Sequence, residues 1–158
     1  MSDDSTQISA SDRSQIEHLL FEYAALIDAG DFAGVGRLFA EARLTTAEGA
    51  TVATGAVEVQ ALYASTTRLH EDGTPRTRHL TTNVIIEGVD PDEAQVRSYF
   101  TVLQQTGTVP LQPVIAGRYR DRVVRRPGGW RFAERCMMPD LFGDLHDHLL
   151  FDPAALEG

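Results

Sequence analysis

The chain has 158 residues, of which 42% are apolar and 23% are charged, and its formal net charge is −9. This size and composition indicate one globular domain, and the acidic balance argues against nucleic acid as a partner, because phosphate contacts need a basic surface. All of its basic residues are arginine, which excludes a Schiff-base lysine and a Walker-type phosphate loop.

The first half of the chain is predicted to be mainly helical. Residues 1–10 form an expected disordered tail, and a first helix follows, with Ser11 or Ser14 as its cap and Gly30 as its end. A short helix over 32–40 and a third over roughly 56–69 flank one or two short strands within 43–54. The first helix has an apolar stripe at helical spacing, formed by Ile16, Leu19, Leu20, Tyr23 and Ile27.

The second half of the chain reads as a meander of strands. Four are predicted, at roughly 77–87, 94–105, 114–126 and 129–138, and the last two are joined by a turn at Arg126-Pro-Gly-Gly129. Helices followed by a run of strands imply an α+β domain with an antiparallel sheet. The domain is predicted to cover residues 11–145, with a C-terminal tail over 146–158.

Two residues about fifty positions apart are the candidate catalytic residues of this chain. Asp28 lies at the end of the first helix, where a carboxylate is unfavourable because the helix dipole is negative there. His79 lies near the start of the first long strand. An aspartate can fix the tautomer of a histidine and stabilise its charged form while the imidazole takes a substrate proton.

Several short motifs, in this order, resemble the SnoaL-like branch of the nuclear transport factor 2-like superfamily from about residue 10 to about residue 145. They are Tyr23-x4-Asp28, Asp31 to Phe39, Thr77-Arg78-His79, Gly117-Arg118-Tyr119-x-Asp121 and Gly128-Gly129-Trp130-Arg131-Phe132. The resemblance implies a cone-shaped α+β barrel, with the N-terminal helices packed on a curved, mainly antiparallel sheet around an apolar pocket.

The resemblance also implies roles for single residues. Asp28, His79 and Tyr23 match positions that form the proton-abstracting site in dehydratase members of the superfamily. The sequence departs from two members: Tyr99-Phe100 stand where scytalone dehydratase has a second histidine, and Arg97-Ser98-Tyr99 lacks the aspartate of the epoxide hydrolase type. Tyr23 and Asp28 lie about 140° apart on an ideal helix, so only a bent or frayed last turn is expected to bring both into one cavity.

Further residues are predicted to contact substrate: Tyr63, Asn83, Arg97, Tyr99 and Arg118. Strand alternation places His79, Thr81 and Asn83 on one side. The arginines suit either a bidentate fork to a carboxylate or surface ion pairs, and both interpretations stay open. The segment Asp144 to His148 has metal-ligand residue types without zinc-site spacing, so no metal site is predicted, and no cofactor motif is found.

These observations support two hypotheses. The first is a cofactor-independent lyase or isomerase, dehydratase- or cyclase-like, acting on a hydrophobic cyclic substrate through an Asp28–His79 dyad. The alternative is a non-catalytic small-molecule-binding or subunit domain of the same fold. Under either hypothesis a homo-oligomer (dimer or trimer) is expected, with no nucleic-acid or membrane partner. The lone Cys136 and the lack of a signal-peptide pattern favour the cytoplasm.

Overall fold

The computed structural model of the protein describes residues 6–156, so the first five residues of the predicted tail lie outside the described part. The chain is already helical at Ala10. Its elements, in order, are α1 (Ala10–Asp28), α2 (Phe32–Leu38), β1 (Arg43–Thr45), β2 (Thr51–Thr54), α3 (Gly55–Thr66), β3 (Thr77–Asp90), β4 (Glu93–Gln104), β5 (Gln112–Arg126), β6 (Gly129–Phe142) and a 3₁₀ helix (Pro153–Leu156).

The six strands form one sheet in the order β2-β1-β6-β5-β4-β3. Every neighbouring pair is antiparallel except β1 with β6, which is parallel. The predicted α+β fold with helices on a mainly antiparallel sheet is therefore confirmed. The sheet curls without closing into a barrel, so β2 and β3 are edge strands. No helix within residues 6–156 is long and apolar enough to cross a membrane.

Helix α1 begins earlier than the sequence predicts. The side chain of Ser9, rather than Ser11 or Ser14, accepts the backbone N–H of Asp12 at 3.0 Å and caps the helix. Asp12 also anchors this first turn to the sheet, because its Oδ1 atom accepts hydrogen bonds from Trp130 Nε1 at 2.9 Å and Arg125 Nη1 at 2.8 Å. The predicted apolar stripe is confirmed, since all five of its residues are buried against the sheet.

Helix α3 stops at Thr66, three residues before its predicted end. The chain turns extended there because Thr67 forms a β-bridge with Leu149, and the backbone N–H of Arg68 donates to the carbonyl of His148 at 2.8 Å. The C-terminal segment predicted as a tail thus begins with residues that pack on the domain, and His148 is buried.

The space between helices and sheet is filled by aromatic rings around a buried ion pair. Arg135 on β6 donates from Nε and Nη2 to the two carboxylate oxygens of Asp121 on β5, both at 2.8 Å. The guanidinium stacks over the ring of Tyr119, 3.8 Å from its centroid, and over Tyr23, at 4.3 Å. Although burial disfavours its charge, the Asp121 carboxylate holds the pKa of Arg135 above its usual value.

Candidate active site

Asp28 and His79 are in direct contact, as their proposed chemistry requires. The Oδ1 atom of Asp28 lies 2.6 Å from Nδ1 of His79, and both side chains are largely buried, 14% and 9% exposed. The carboxylate also accepts the backbone N–H of His79 on Oδ2 at 2.9 Å and the hydroxyl of Thr77 on Oδ1 at 2.8 Å. Three hydrogen bonds therefore fix the last residue of α1 to the first residues of β3.

The electrostatics of this contact keep Asp28 ionised. Burial acts to raise the pKa of the carboxyl, but the hydrogen bonds and charge of His79, together with the Thr77 hydroxyl, outweigh it and lower the pKa below its usual 3.8. A carboxylate facing Nδ1 requires that nitrogen to carry the proton. The proton-accepting nitrogen of neutral His79 is then Nε2, which has no hydrogen-bond partner within residues 6–156.

Tyr23 also reaches His79. The two rings meet edge to face with centroids 6.5 Å apart, although α1 continues as a regular helix through Asp28. His79 thus meets Asp28 through Nδ1 and Tyr23 through its ring without a bend in α1, while the Tyr23 side chain itself is buried. The Tyr23 hydroxyl is 2.6 Å from the hydroxyl of Tyr63, which in turn donates to the sulfur of Met137 at 3.8 Å.

Tyr63, predicted to contact substrate, belongs to this buried aromatic cluster. Burial is the main cause that raises the pKa of its phenol well above the usual 10.0, and the neighbouring Tyr23 raises it further. The hydroxyl is therefore protonated at neutral pH. Its ring lies 6.3 Å from that of Tyr23, edge to face. Tyr63 can therefore set the orientation of the Tyr23 hydroxyl.

Two open grooves meet at the dyad. The first, here called the His79 groove, has a volume of about 390 Å³ and is lined by Phe21, Ala24, Ala25, Asp28, Arg78, His79 and Thr81. The second, here called the Arg76 pocket, has a volume of about 490 Å³ and includes Asp28, Thr77, Arg76, Arg78, Leu103 and Leu111 in its lining. Both open at the surface beside the edge strand β3. The family resemblance had instead implied an apolar cavity inside the cone.

Asn83 is exposed, in contrast to the simple alternation predicted for β3. The pairing of β3 with β4 shifts register between Thr82 and Ile85, and Asn83 has a backbone φ of 54° in the left-handed region. A bulge of this kind adds a residue and reverses the side on which the following side chains lie. Asn83 consequently lies in an irregular stretch beyond the grooves, and neither groove includes it in its lining.

Three other predicted substrate contacts lie on the opposite face of the sheet. Arg97 and Tyr99 are exposed, whereas their neighbours Ser98 and Phe100 face inward and are buried. Arg118 pairs directly with Tyr99 across the strands and bonds to Asp140 at 3.1 Å. Arg97 is 3.3 Å from Glu87, so the surface ion-pair interpretation describes both arginines.

The side chains of the C-terminal cluster point to separate partners. Asp144 binds His146 at 2.8 Å, while the Asp147 carboxylate accepts hydroxyls from Thr106 and Thr108 at 2.6 and 2.9 Å. Across residues 6–156 no three His, Cys, Asp or Glu side chains are grouped as they would be around a metal ion.

His148 is a neighbour of the dyad that the sequence analysis missed. It is buried, and burial together with the nearby charge of His79 lowers its pKa to about 4, so the ring is neutral at pH 7. Its Nδ1 atom has no hydrogen-bond partner in the described part of the chain. No sequence pattern links residue 148 to residue 79, because long-range contacts such as the bridge between Thr67 and Leu149 bring the C-terminal segment back to the domain.

Comparison with known proteins identifies relatives of this fold. A family model described as a SnoaL-like domain matches residues 9–136. No functionally curated protein matches the chain.

Three similar solved structures come from Novosphingobium aromaticivorans. One, provisionally named a scytalone dehydratase, is 25% identical, with coverage of 86% of this chain and 89% of that one and a TM-score of 0.68. An NTF2-like protein with a cystatin-like fold is 21% identical, with coverage of 93% and 87% and a TM-score of 0.67. The β subunit of a provisionally named aromatic-ring-hydroxylating dioxygenase is 20% identical, with coverage of 87% and 94% and a TM-score of 0.67.

Proposed function

This chain belongs to the SnoaL-like domain family, and from that premise we propose that it is a cofactor-independent lyase or isomerase acting on a hydrophobic cyclic substrate. One observation carries the proposal: the 2.6 Å contact between Asp28 and His79, in which the carboxylate is held by two further donors. Such a contact orients the imidazole and leaves one of its nitrogens available as a base. The likeness to a structure provisionally named a scytalone dehydratase supports the dehydratase-like reaction class.

In the proposed mechanism, Nε2 of His79 takes a proton from a carbon next to a substrate carbonyl. The positive charge that forms on the imidazole is stabilised by Asp28, which is ionised at neutral pH because its pKa is lowered. The electron pair left on carbon moves to the carbonyl oxygen and forms an enolate. Elimination of a neighbouring hydroxyl, reprotonation elsewhere and ring closure all begin with this step.

Tyr23 is the proposed donor to the developing oxyanion, although its side chain is buried and neither groove includes it in its lining. Its ring contacts the His79 ring, and its hydroxyl is already paired with that of Tyr63 at 2.6 Å. Each hydroxyl carries one proton, so Tyr23 can donate to an oxyanion when Tyr63 turns its own proton from Met137 to the Tyr23 oxygen. The buried guanidinium of Arg135, stacked on the Tyr23 ring at 4.3 Å, places positive charge beside this pair of hydroxyls.

The experiment that tests the proposal is proton exchange in D₂O, followed by NMR on a panel of cyclic ketones that begins with 1-tetralone. The wild-type protein is expected to accelerate loss of the α-proton signal. His79→Ala and Asp28→Asn should each reduce that acceleration by at least ~10². His146→Ala is the matched control, since His146 also binds an aspartate but is exposed. Equal exchange in all four proteins would rule the mechanism out.

A non-catalytic subunit role is the second candidate, favoured by the filled interior around the Arg135–Asp121 pair and by exposed apolar side chains on the outer sheet face. Strand register places these on one surface: Leu80, Ile85, Tyr99 and Leu141, between 44% and 67% exposed. Under both candidates we propose that a second copy of the chain covers this surface. We also propose a cytoplasmic location, as expected from the single cysteine.

A further inference from the structure

We propose that the ligand of the His79 groove carries an anionic group, a carboxylate or phenolate, which Arg78 binds while the ligand's apolar ring packs against Phe21. This inference rests on the proposed function, because it names the substrate class of the same site. It assigns a specificity role to Arg78 and Phe21, which lie on opposite walls of the groove, on β3 and α1.

Arg78 has the position that this role requires. Among the residues lining the two grooves, only Asp28 and Arg78 line both. Adjacent residues of a strand point to opposite sides, but β3 is an edge strand, so Arg78 and His79 both reach the space beside that edge. A group bound at Arg78 is therefore next to the base that acts on the substrate.

The charge of Arg78 is available to a ligand. No carboxylate lies within 4.0 Å of its guanidinium in the described part of the chain, and the hydrogen bond its guanidinium makes there, from Nη1, goes to the backbone carbonyl of Thr77 at 2.7 Å. In contrast, ten of the fourteen arginines have a carboxylate partner. An arginine guanidinium carries five N–H donors, so a fork remains for a planar anion.

The carboxylates near Arg78 are engaged by other donors. Asp28 is paired with His79 and accepts three hydrogen bonds. Asp72 accepts the N–H and hydroxyl of Thr74 and lies 3.4 Å from Arg76. Asp72 is thus paired with Arg76 and the Asp28 oxygens are occupied by donors from β3, so neither carboxylate uses the N–H groups of Arg78, which remain available to an anion.

The opposite wall of the His79 groove is apolar. Phe21, Ala24 and Ala25 present one side of α1 to the groove, and Phe21 is 50% exposed although it is a large aromatic residue. An exposed aromatic ring beside a base is a stacking surface for a planar ligand. The groove volume of about 390 Å³ falls within the range of small-molecule sites and suits a fused two-ring acid.

Arg76 is a second guanidinium that the fold holds in place, although Asp72 already pairs with it at 3.4 Å. Its backbone lies in the left-handed region at φ 59°, where a non-glycine residue is uncommon, and its N–H donates to the Thr74 hydroxyl at 3.1 Å. Its Nε atom donates to the carbonyl of Gln105 at 3.3 Å, which fixes the side chain along the Arg76 pocket. A longer anionic substituent that extends past Arg78 meets this guanidinium.

The test compares two ligands of the same shape, 2-naphthoate and the neutral 2-naphthylmethanol, by titration calorimetry at low salt. We expect naphthoate to bind at least about tenfold more tightly, and Arg78→Gln to abolish this preference. Arg122→Gln is the matched control, because Arg122 is an exposed arginine on the outer sheet face, where it pairs with Glu93. Phe21→Ala should weaken both ligands by a similar factor.

Equal affinity of the two ligands for the wild-type protein would overturn the inference, and so would equal losses in the Arg78 and Arg122 variants. The measurement requires no turnover, so it separates the two proposals. If Asp28→Asn still binds naphthoate while proton exchange does not depend on the dyad, the anion site stands and the catalytic mechanism fails. If exchange depends on the dyad but naphthoate shows no preference, the reverse holds.

Discussion

At the scale of single residues, Asp28 is the point on which the proposed chemistry depends. One side chain at a helix end accepts the imidazole, the backbone of the same histidine and a threonine hydroxyl. A carboxylate there is unfavourable for the helix itself, because the dipole is negative at a C-terminus. The three donors on β3 offset that cost, so the ionised Asp28 side chain is stabilised only in the folded protein.

Asp28→Asn should destabilise the protein, and the effect should depend on pH. The folded pKa of Asp28 lies below its unfolded value of 3.8, so its stabilisation is fully present above about pH 4 and is lost as the pH falls through the folded pKa. We expect the variant to lose about 2 kcal/mol of unfolding free energy at pH 7. Urea denaturation of both proteins from pH 7 to pH 3 measures this.

The difference between the two proteins should shrink toward pH 3. A difference that stays constant over this range would contradict the assignment. Glu71→Gln, an exposed carboxylate with no hydrogen bond among the described residues, is the control and should change stability little at either pH.

Removing one member of the buried ion pair should cost far more than removing both. Arg135→Met leaves the Asp121 carboxylate buried without its two hydrogen bonds, which is expected to cost about 3–5 kcal/mol. Combining it with Asp121→Leu should recover most of that loss, because an apolar pair leaves no uncompensated charge. Thermal and urea unfolding of the single and double variants test the expectation. A double variant as unstable as the single one would show that aromatic packing around the guanidinium dominates.

At the scale of elements, the sequence predicted the helices and strands because their patterns are local. The stripe of α1 was predicted from neighbouring residues, and it is confirmed. The outward position of Tyr99 could have been predicted from β4 itself, since Val96, Ser98 and Phe100 form its buried side. The bulge at Asn83 could not, because a register shift depends on the partner strand and leaves no hydrophobic signature.

The same difference between local patterns and long-range contacts explains which site residues the sequence could predict. The resemblance predicted a site containing Asp28 and His79 because each lies within a short motif, and the two side chains are in contact. His148 was missed because its place beside them depends on a bridge between Thr67 and Leu149, more than eighty residues apart in the chain. The open grooves were also missed, since their volume depends on how α1 lies along the edge strand.

Strands β5 and β6 approach each other so closely at Gly117 that a larger residue has no room. A Cβ atom built there would lie 2.4 Å from the carbonyl oxygen of Met138 and 2.7 Å from the Cα of Pro139. Gly117→Ala should therefore cost roughly 1–3 kcal/mol, measured by chemical denaturation. Gly107→Ala is the control, because nothing lies within 4 Å of the added atom, and it should change stability by about 0.5 kcal/mol or less.

At the scale of the whole molecule, the outer face of the sheet is the surface left for a partner. Its apolar residues are framed by the ion pairs of Arg97 with Glu87 and Arg118 with Asp140. An apolar centre with a charged rim is typical of protein–protein interfaces. The helices occupy the other face of the sheet, which leaves this face open to a partner.

Tyr99→Asp should therefore shift the protein toward monomer. Tyr99 is 51% exposed at the middle of the outer face, and a carboxylate there would be desolvated in an interface. Sedimentation velocity over a concentration series measures the change, and the wild-type protein should sediment as an oligomer. Val57→Asp is the control, because Val57 is 81% exposed on α3, away from the sheet. A wild-type protein that is monomeric at all concentrations would contradict the proposal.

The contact between Asp28 and the backbone of His79 has one more consequence. β3 is the last strand of an unclosed sheet, and its outward-facing N–H groups can template the addition of a foreign strand. The Oδ2 atom of Asp28 occupies one of those groups at 2.9 Å, so the carboxylate also shields the strand from self-association. Asp28→Ala would remove the partner of the proposed base and expose this N–H group at the same time, so we expect aggregation to accompany any loss of activity.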